Sequence, residues 1–174
     1  MTTDTDPSME EFWELFGRED ELGVVVRAHI HIEFLVRQFI DEHVVASDSI
    51  EKMELEYRQI VQLAIALGMD ASLEGPLKAL GTIRNKFAHQ KNARLTNELT
   101  TNFYKTLDGQ LKEYVHIAFD SLKKGFEKDL KVDILGFSMQ DPKIQFEVMM
   151  VALHAVLKSV VKRSNKQGEP DPVA

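Results

Sequence analysis

The sequence predicts an all-α fold, a helical bundle of about five long helices. Apolar residues recur at three- and four-residue spacing along most of the chain, and no run has the period of two expected of a strand. The 174 residues are 44% hydrophobic and 28% charged, which is typical of a globular domain with a buried core. We therefore predict an N-terminal arm with a short helix (1–18), one helical-bundle domain (19–164) and a disordered tail (165–174).

Three helices are predicted before the middle of the chain. A short one follows an aspartate–proline pair and ends at the first glycine of the sequence. A long, strongly apolar helix follows over residues 19–44. The third is predicted as one helix over residues 47–68, because Asp48 and Glu51 have the spacing of a capping box and a glycine stands at its end.

Three further helices complete the predicted bundle. A glycine–proline pair opens the fourth, which covers residues 75–90. After a polar connection at residues 91–96, apolar residues recur at helical spacing over 99–122 and predict a fifth helix of about eight turns. The last helix begins near residue 142 and is apolar on most sides, so we expect it to be central or in an interface.

Composition restricts the classes of partner and chemistry. The net charge of −7 disfavours direct DNA binding, which usually depends on a basic face that neutralises phosphates. A chain with no cysteine has no disulfide, no thiolate metal site and no cysteine nucleophile. The acidic start of the chain is unlike a signal peptide, and the most apolar stretch (146–161) is shorter than the roughly 20 residues of a membrane span. We expect a cytoplasmic protein that does not cross a membrane.

The fourth predicted helix carries the one segment suited to chemistry, which ends in Arg84, Asn85 and His89. On a helical wheel Asn85 and His89 stack on the side opposite the core, while Arg84 lies at the edge of the core face and must swing round to join them. Lys78 and Thr82 lie beside them. The expected core face consists of Leu77, Leu80, Ile83 and Phe87.

This combination of side chains suits phosphate chemistry without a metal or a cofactor. An arginine grips a phosphate with two hydrogen bonds, a histidine transfers protons near neutral pH, and an asparagine orients either one. Two structural interpretations stay open beside it: Arg84 pairs with a carboxylate of a neighbouring helix, with Glu33 as a candidate, or His89 simply interacts with the helix C-terminus.

Residues 83–89, Ile-Arg-Asn-Lys-Phe-Ala-His, resemble the Arg-Asn-x-x-x-His signature of HEPN domains, which are all-helical bundles. The stretch 60–68, followed by the motif helix, looks like the layout of proteins grouped with the mannitol operon repressor. The resemblance covers roughly residues 27–107 and implies an HEPN-like bundle.

The HEPN resemblance implies a homodimer and, in active members, a metal-independent ribonuclease whose motifs meet across a dimer groove. It would make Arg84 the phosphate clamp, His89 the proton-transfer residue and Asn85 their positioner, with Lys78 and Lys86 supplying local positive charge. Glu33 is a candidate support for Arg84.

Two functions from different classes follow from these resemblances. The repressor-like layout implies a regulatory protein that acts through protein contacts and has no DNA-binding motif of its own. The motif implies an endoribonuclease, with RNA as the partner. The acidic net charge favours the regulator, so we expect that function first and leave enzymatic activity open.

Overall fold

The computed structural model describes residues 14, 16, 17, 19–130 and 136–167, with only the backbone at 125–130 and 164–167. Within these ranges the protein is all-helical, as predicted. The short helix of the predicted N-terminal arm falls mostly outside the described residues, as do residues 168–174 of the predicted tail. The prediction that the tail begins at residue 165 is wrong, because residues 165–167 continue the last helix. The described α-helices are α1 (Glu21–His43), α2 (Ser47–Glu51), α3 (Tyr57–Ala66), α4 (Glu74–His89), α5 (Asn97–Thr106), α6 (Gly109–Leu130) and α7 (Pro142–Gln167). Single 3₁₀ turns cover Ala71–Leu73 and Phe137–Met139.

The helices α1 and α4, which carry the candidate site, form where the periodicity predicts them. The Asp20 carboxylate caps α1 by accepting a hydrogen bond from the Gly23 N–H at 2.8 Å. The expected core face of α4 is confirmed, because its four apolar side chains are all buried: Leu77, Leu80, Ile83 and Phe87. The opposite face of α4 is therefore left for solvent or a ligand.

The single helix predicted over residues 47–68 is wrong, because the chain forms two helices, α2 and α3, with a turn between them. The turn contains Glu54, whose φ of 47° lies in the left-handed region and interrupts the helix. The cap that begins α3 uses Gln59, whose side chain accepts a hydrogen bond from the Glu56 N–H at 2.9 Å. The stop at Gly68 is confirmed: its φ is 103°, and the Met69 N–H donates to the Ala64 carbonyl, as in a Schellman motif.

The single eight-turn helix predicted over residues 99–122 is also wrong. Leu107 has an extended backbone, with φ −73° and ψ 138°, and ends α5. The Asp108 carboxylate then accepts a hydrogen bond from the Leu111 N–H at 2.7 Å and starts α6. The apolar spacing continues across the break because both helices face the same core, so the periodicity alone conceals it.

The centre of the bundle is α7, which is one of the two positions that the sequence predicts for it. Every residue from Gln145 to His154 is buried, and α7 packs against α1, α5 and α6. The segment Pro142–Arg163 has the length and apolar composition of a membrane span, but 67% of its most apolar window is buried inside the bundle. The core helix of a soluble protein has the same properties.

Candidate functional site

An open groove with a volume of about 690 Å³ lies between α1, α3 and α4. The helix α4 forms one wall, because Lys78, Thr82 and Asn85 recur at four- and three-residue spacing and share one face. The remaining lining side chains come mainly from the other two helices and the start of α3, and they are His29, Glu33, Glu56, Tyr57, Arg58 and Val61, with Gly81 and Arg84 from α4.

Two motif residues meet at the edge of this groove. The Arg84 Nη1 donates a hydrogen bond to the Asn85 Oδ1 at 3.0 Å, and both residues line the groove. The arginine side chain therefore turns away from the core edge towards the polar face, as the helical wheel required. Asn85 positions the guanidinium, which leaves its other N–H groups available to an anion.

The structure does not bring His89 into the same groove. His89 is the last residue of α4 and is exposed, one turn beyond Asn85. Lys86 is half-buried in the same last turn and also lies outside the lining. A single copy of the chain thus joins Arg84 and Asn85 at one site but leaves His89 on the surface beside it.

Glu33 lines the groove but does not form the expected ion pair with Arg84. Its Oε1 lies 2.7 Å from Arg37 Nη2, and its Oε2 lies 3.5 Å from His29 Nδ1. Both partners stand four residues away on α1, so they reach the carboxylate along their own helix. Glu33 is therefore neutralised within α1, and Arg84 makes no ion pair with any carboxylate of the described residues.

A pair of rings that the sequence analysis missed forms the floor of the groove, where His29 is buried and Tyr57 is half-buried. The rings of His29 and Tyr57 lie 4.2 Å apart, and the Tyr57 hydroxyl donates a hydrogen bond to the Leu77 carbonyl at 3.1 Å. A Cβ at Gly81 would stand only 2.9 Å from the Tyr57 ring, so the tyrosine needs a glycine in α4. A glycine inside an amphipathic helix is the one sequence signal that indicates such a close approach.

Burial controls the charge state of this floor. The pKa of His29 is lowered from its usual value, chiefly because the ring is buried and also because Arg84 is near, while Glu33 opposes the shift. Burial and the Glu33 carboxylate raise the pKa of the Tyr57 hydroxyl well above its usual range. Both groups are therefore neutral at neutral pH, and the groove takes its charge from the side chains at its rim.

The rim is positively charged. Arg58 and Arg84 are exposed and have no carboxylate partner among the described residues, whereas Lys78 is held by Glu74 at 2.5 Å. Glu56 is the one lining carboxylate that the described residues leave without a cation. Two free guanidiniums over a neutral floor suit an anionic group, such as a carboxylate or a phosphate.

No protein-family model, curated protein or solved structure matches this chain. The resemblance to HEPN domains thus rests on residues 83–89 and on the helical layout.

Proposed function

We propose that this chain is a regulatory protein of the mannitol-operon-repressor-like type, which acts in the cytoplasm through protein contacts and without a DNA-binding motif of its own. In this proposal the groove between α1, α3 and α4 receives an acidic segment of the partner. The main support for this proposal is that two exposed arginines, Arg58 and Arg84, lie at the rim of an open groove and have no carboxylate partner among the described residues.

Two further features support protein contact over catalysis. The groove contains Arg84, which could bind a phosphate, but not His89, the proton-transfer residue that the motif implies. The chain as a whole is acidic, with a net charge of −7, so a long RNA meets a repulsive field away from the groove. A short acidic peptide needs only the local positive rim.

The test is binding of a fluorescently labelled peptide of consecutive glutamates to the full chain. We expect Arg84→Ala and Arg58→Ala each to weaken binding about tenfold, because each removes a charged hydrogen bond to a carboxylate. The matched control is Arg94→Ala, since Arg94 is an exposed arginine outside the groove. Equal weakening by all three variants, or binding that ignores Arg84 and Arg58, would overturn the proposal.

A second candidate is an HEPN-type metal-independent endoribonuclease that uses Arg84 and His89 across a dimer groove. It is favoured by one observation: Asn85 holds Arg84, and His89 stands exposed four residues further along the helix, where a second copy has access to both. Incubation of labelled total RNA with the wild type and with His89→Ala in EDTA separates the two functions. Cleavage by the wild type alone would replace the regulatory proposal with the enzymatic one.

A further inference from the structure

The face of α1 that points away from the core carries a row of exposed apolar side chains. Leu22, Val26, Ile30 and Phe34 stand four residues apart and are 48%, 39%, 58% and 44% exposed. Residues at this spacing form one continuous ridge along a helix, here about 18 Å long. A contiguous row of exposed apolar side chains is a candidate interaction surface. We call these four residues the α1 ridge.

We propose that the α1 ridge docks against the α1 ridge of a second copy of this chain, with the two helices antiparallel. The ridge is symmetric about residue 28, with Val26 and Ile30 two residues away on either side and Leu22 and Phe34 six away. A surface that is its own complement under a two-fold rotation is what an isologous dimer needs.

The charges at the ends of the ridge favour the antiparallel arrangement. Glu19 stands nine residues before the centre and Arg37 nine residues after it. In an antiparallel pair, Glu19 of each copy lies beside Arg37 of the other. The positive end of each helix dipole then also lies beside the negative end of the other. Parallel pairing would place Arg37 beside Arg37 and Glu19 beside Glu19. Each residue keeps a partner on its own chain, Arg27 for Glu19 and Glu33 for Arg37.

The spacing of the ridge also fixes how the helices cross. Two ridges of residues four apart interdigitate when the helix axes cross at about 50°. In that arrangement Val26 lies beside Ile30 of the second copy, and Leu22 lies beside its Phe34. One helix pair is a small contact beside the roughly 1,200 Å² of a standard interface, so we expect a weak, concentration-dependent dimer.

The dimer also fixes the relative position of the two grooves. His29 and Glu33 line the groove and lie on one side of the α1 ridge. The two-fold axis that relates two antiparallel helices runs between them, so this side of α1 faces the same way in both copies. The two grooves therefore open on the same side of the dimer. The docking itself does not depend on what the grooves bind.

Sedimentation equilibrium of the full chain tests the surface. We expect a monomer–dimer equilibrium that Ile30→Asp weakens at least tenfold and that Val26→Asp weakens likewise. The matched control is Ile117→Asp on α6, since Ile117 is 53% exposed but lies off the ridge. A wild type that stays monomeric at about 100 µM, or a dimer that only Ile117→Asp disrupts, would overturn the proposal. Circular dichroism of each variant confirms that it remains helical.

Cross-linking tests the direction of the helices. The chain has no cysteine, so Leu22→Cys and Phe34→Cys each introduce a single thiol. With a short thiol cross-linker, a mixture of the two variants should form the mixed dimer, while Leu22→Cys alone should not link, because its two thiols would stand about 18 Å apart. Linking of Leu22→Cys to itself would establish a parallel pair and refute the proposed register.

Discussion

Replacing Gly81 with alanine should stabilise the protein only when Tyr57 is absent. The alanine Cβ would stand 2.9 Å from both the Cδ1 and the Cε1 of Tyr57. The ring has little room to retreat, since its hydroxyl is bound to the Leu77 carbonyl and its face packs against His29. Overpacking of this kind costs about 1–3 kcal/mol, whereas alanine in place of glycine inside a helix gains about 1 kcal/mol.

The coupling between the two positions is the quantity to measure. In the Tyr57→Ala background the clash is absent, so Gly81→Ala should stabilise the protein by about 1 kcal/mol. In the wild-type background the same change should be neutral or destabilising by up to about 2 kcal/mol, which is the clash minus the helix gain. The double-mutant cycle should therefore give a coupling free energy of about 1–3 kcal/mol.

Urea unfolding of the four proteins of the cycle provides these values. Gly109→Ala is the control, because a Cβ at Gly109 would have no atom within 4 Å, and it should leave stability unchanged or slightly raised. If Gly81→Ala stabilises the wild type and the Tyr57→Ala protein equally, then the ring does not rest against α4 and the described groove floor is incorrect.

Two further predictions concern buried titratable groups. The lowered pKa of His29 means that its contribution to stability is present above its ordinary value of 6.5 and is lost as the pH falls below that value. His29→Gln should therefore flatten this part of the stability profile from urea unfolding between pH 5 and 7.5, and an unchanged slope would contradict the assignment. Glu147 is buried, and burial raises the pKa of its carboxyl group. Lys143 Nζ lies 3.4 Å from the Glu147 Oε1 and partly opposes this rise, but the Oε1 accepts no hydrogen bond from the described part of the chain. The free-energy penalty of burying the ionised carboxylate is absent below pH 4.5 and grows as the pH rises. Glu147→Gln should therefore raise the free energy of unfolding by about 1 kcal/mol at pH 7 and leave it unchanged at pH 4. Thermal unfolding at the two pH values measures this, and destabilisation at pH 7 would show that the pair with Lys143 outweighs burial.

The helical class and the core faces follow from sequence because they depend on residues close together in the chain. The buried face of α4 is one example, and the central position of α7 is another. The breaks between α2 and α3 and between α5 and α6 were missed because apolar spacing continues across both. There the deciding features are a left-handed backbone at Glu54 and the carboxylate cap from Asp108, which act within one turn.

The candidate site was predicted in part for a different reason. Helical geometry places Arg84 and Asn85 on different sides of α4, so their contact depends on the arginine side chain turning towards Asn85, as the sequence analysis required. The groove itself depends on how three helices pack, and its floor joins residues from two other helices, His29 and Tyr57, to the motif helix. Glu33, the candidate partner of Arg84, forms its ion pair with Arg37 on its own helix instead.

The central position of α7 has a consequence for how the protein is made. While the chain is being synthesised, α1 emerges from the ribosome about a hundred residues before α7, the helix that buries its inner face. During that interval α3 and α4 can cover part of α1, but the part of its inner face that α7 buries stays open to water. The bundle therefore cannot close over α1 until residues 142–167 have been synthesised.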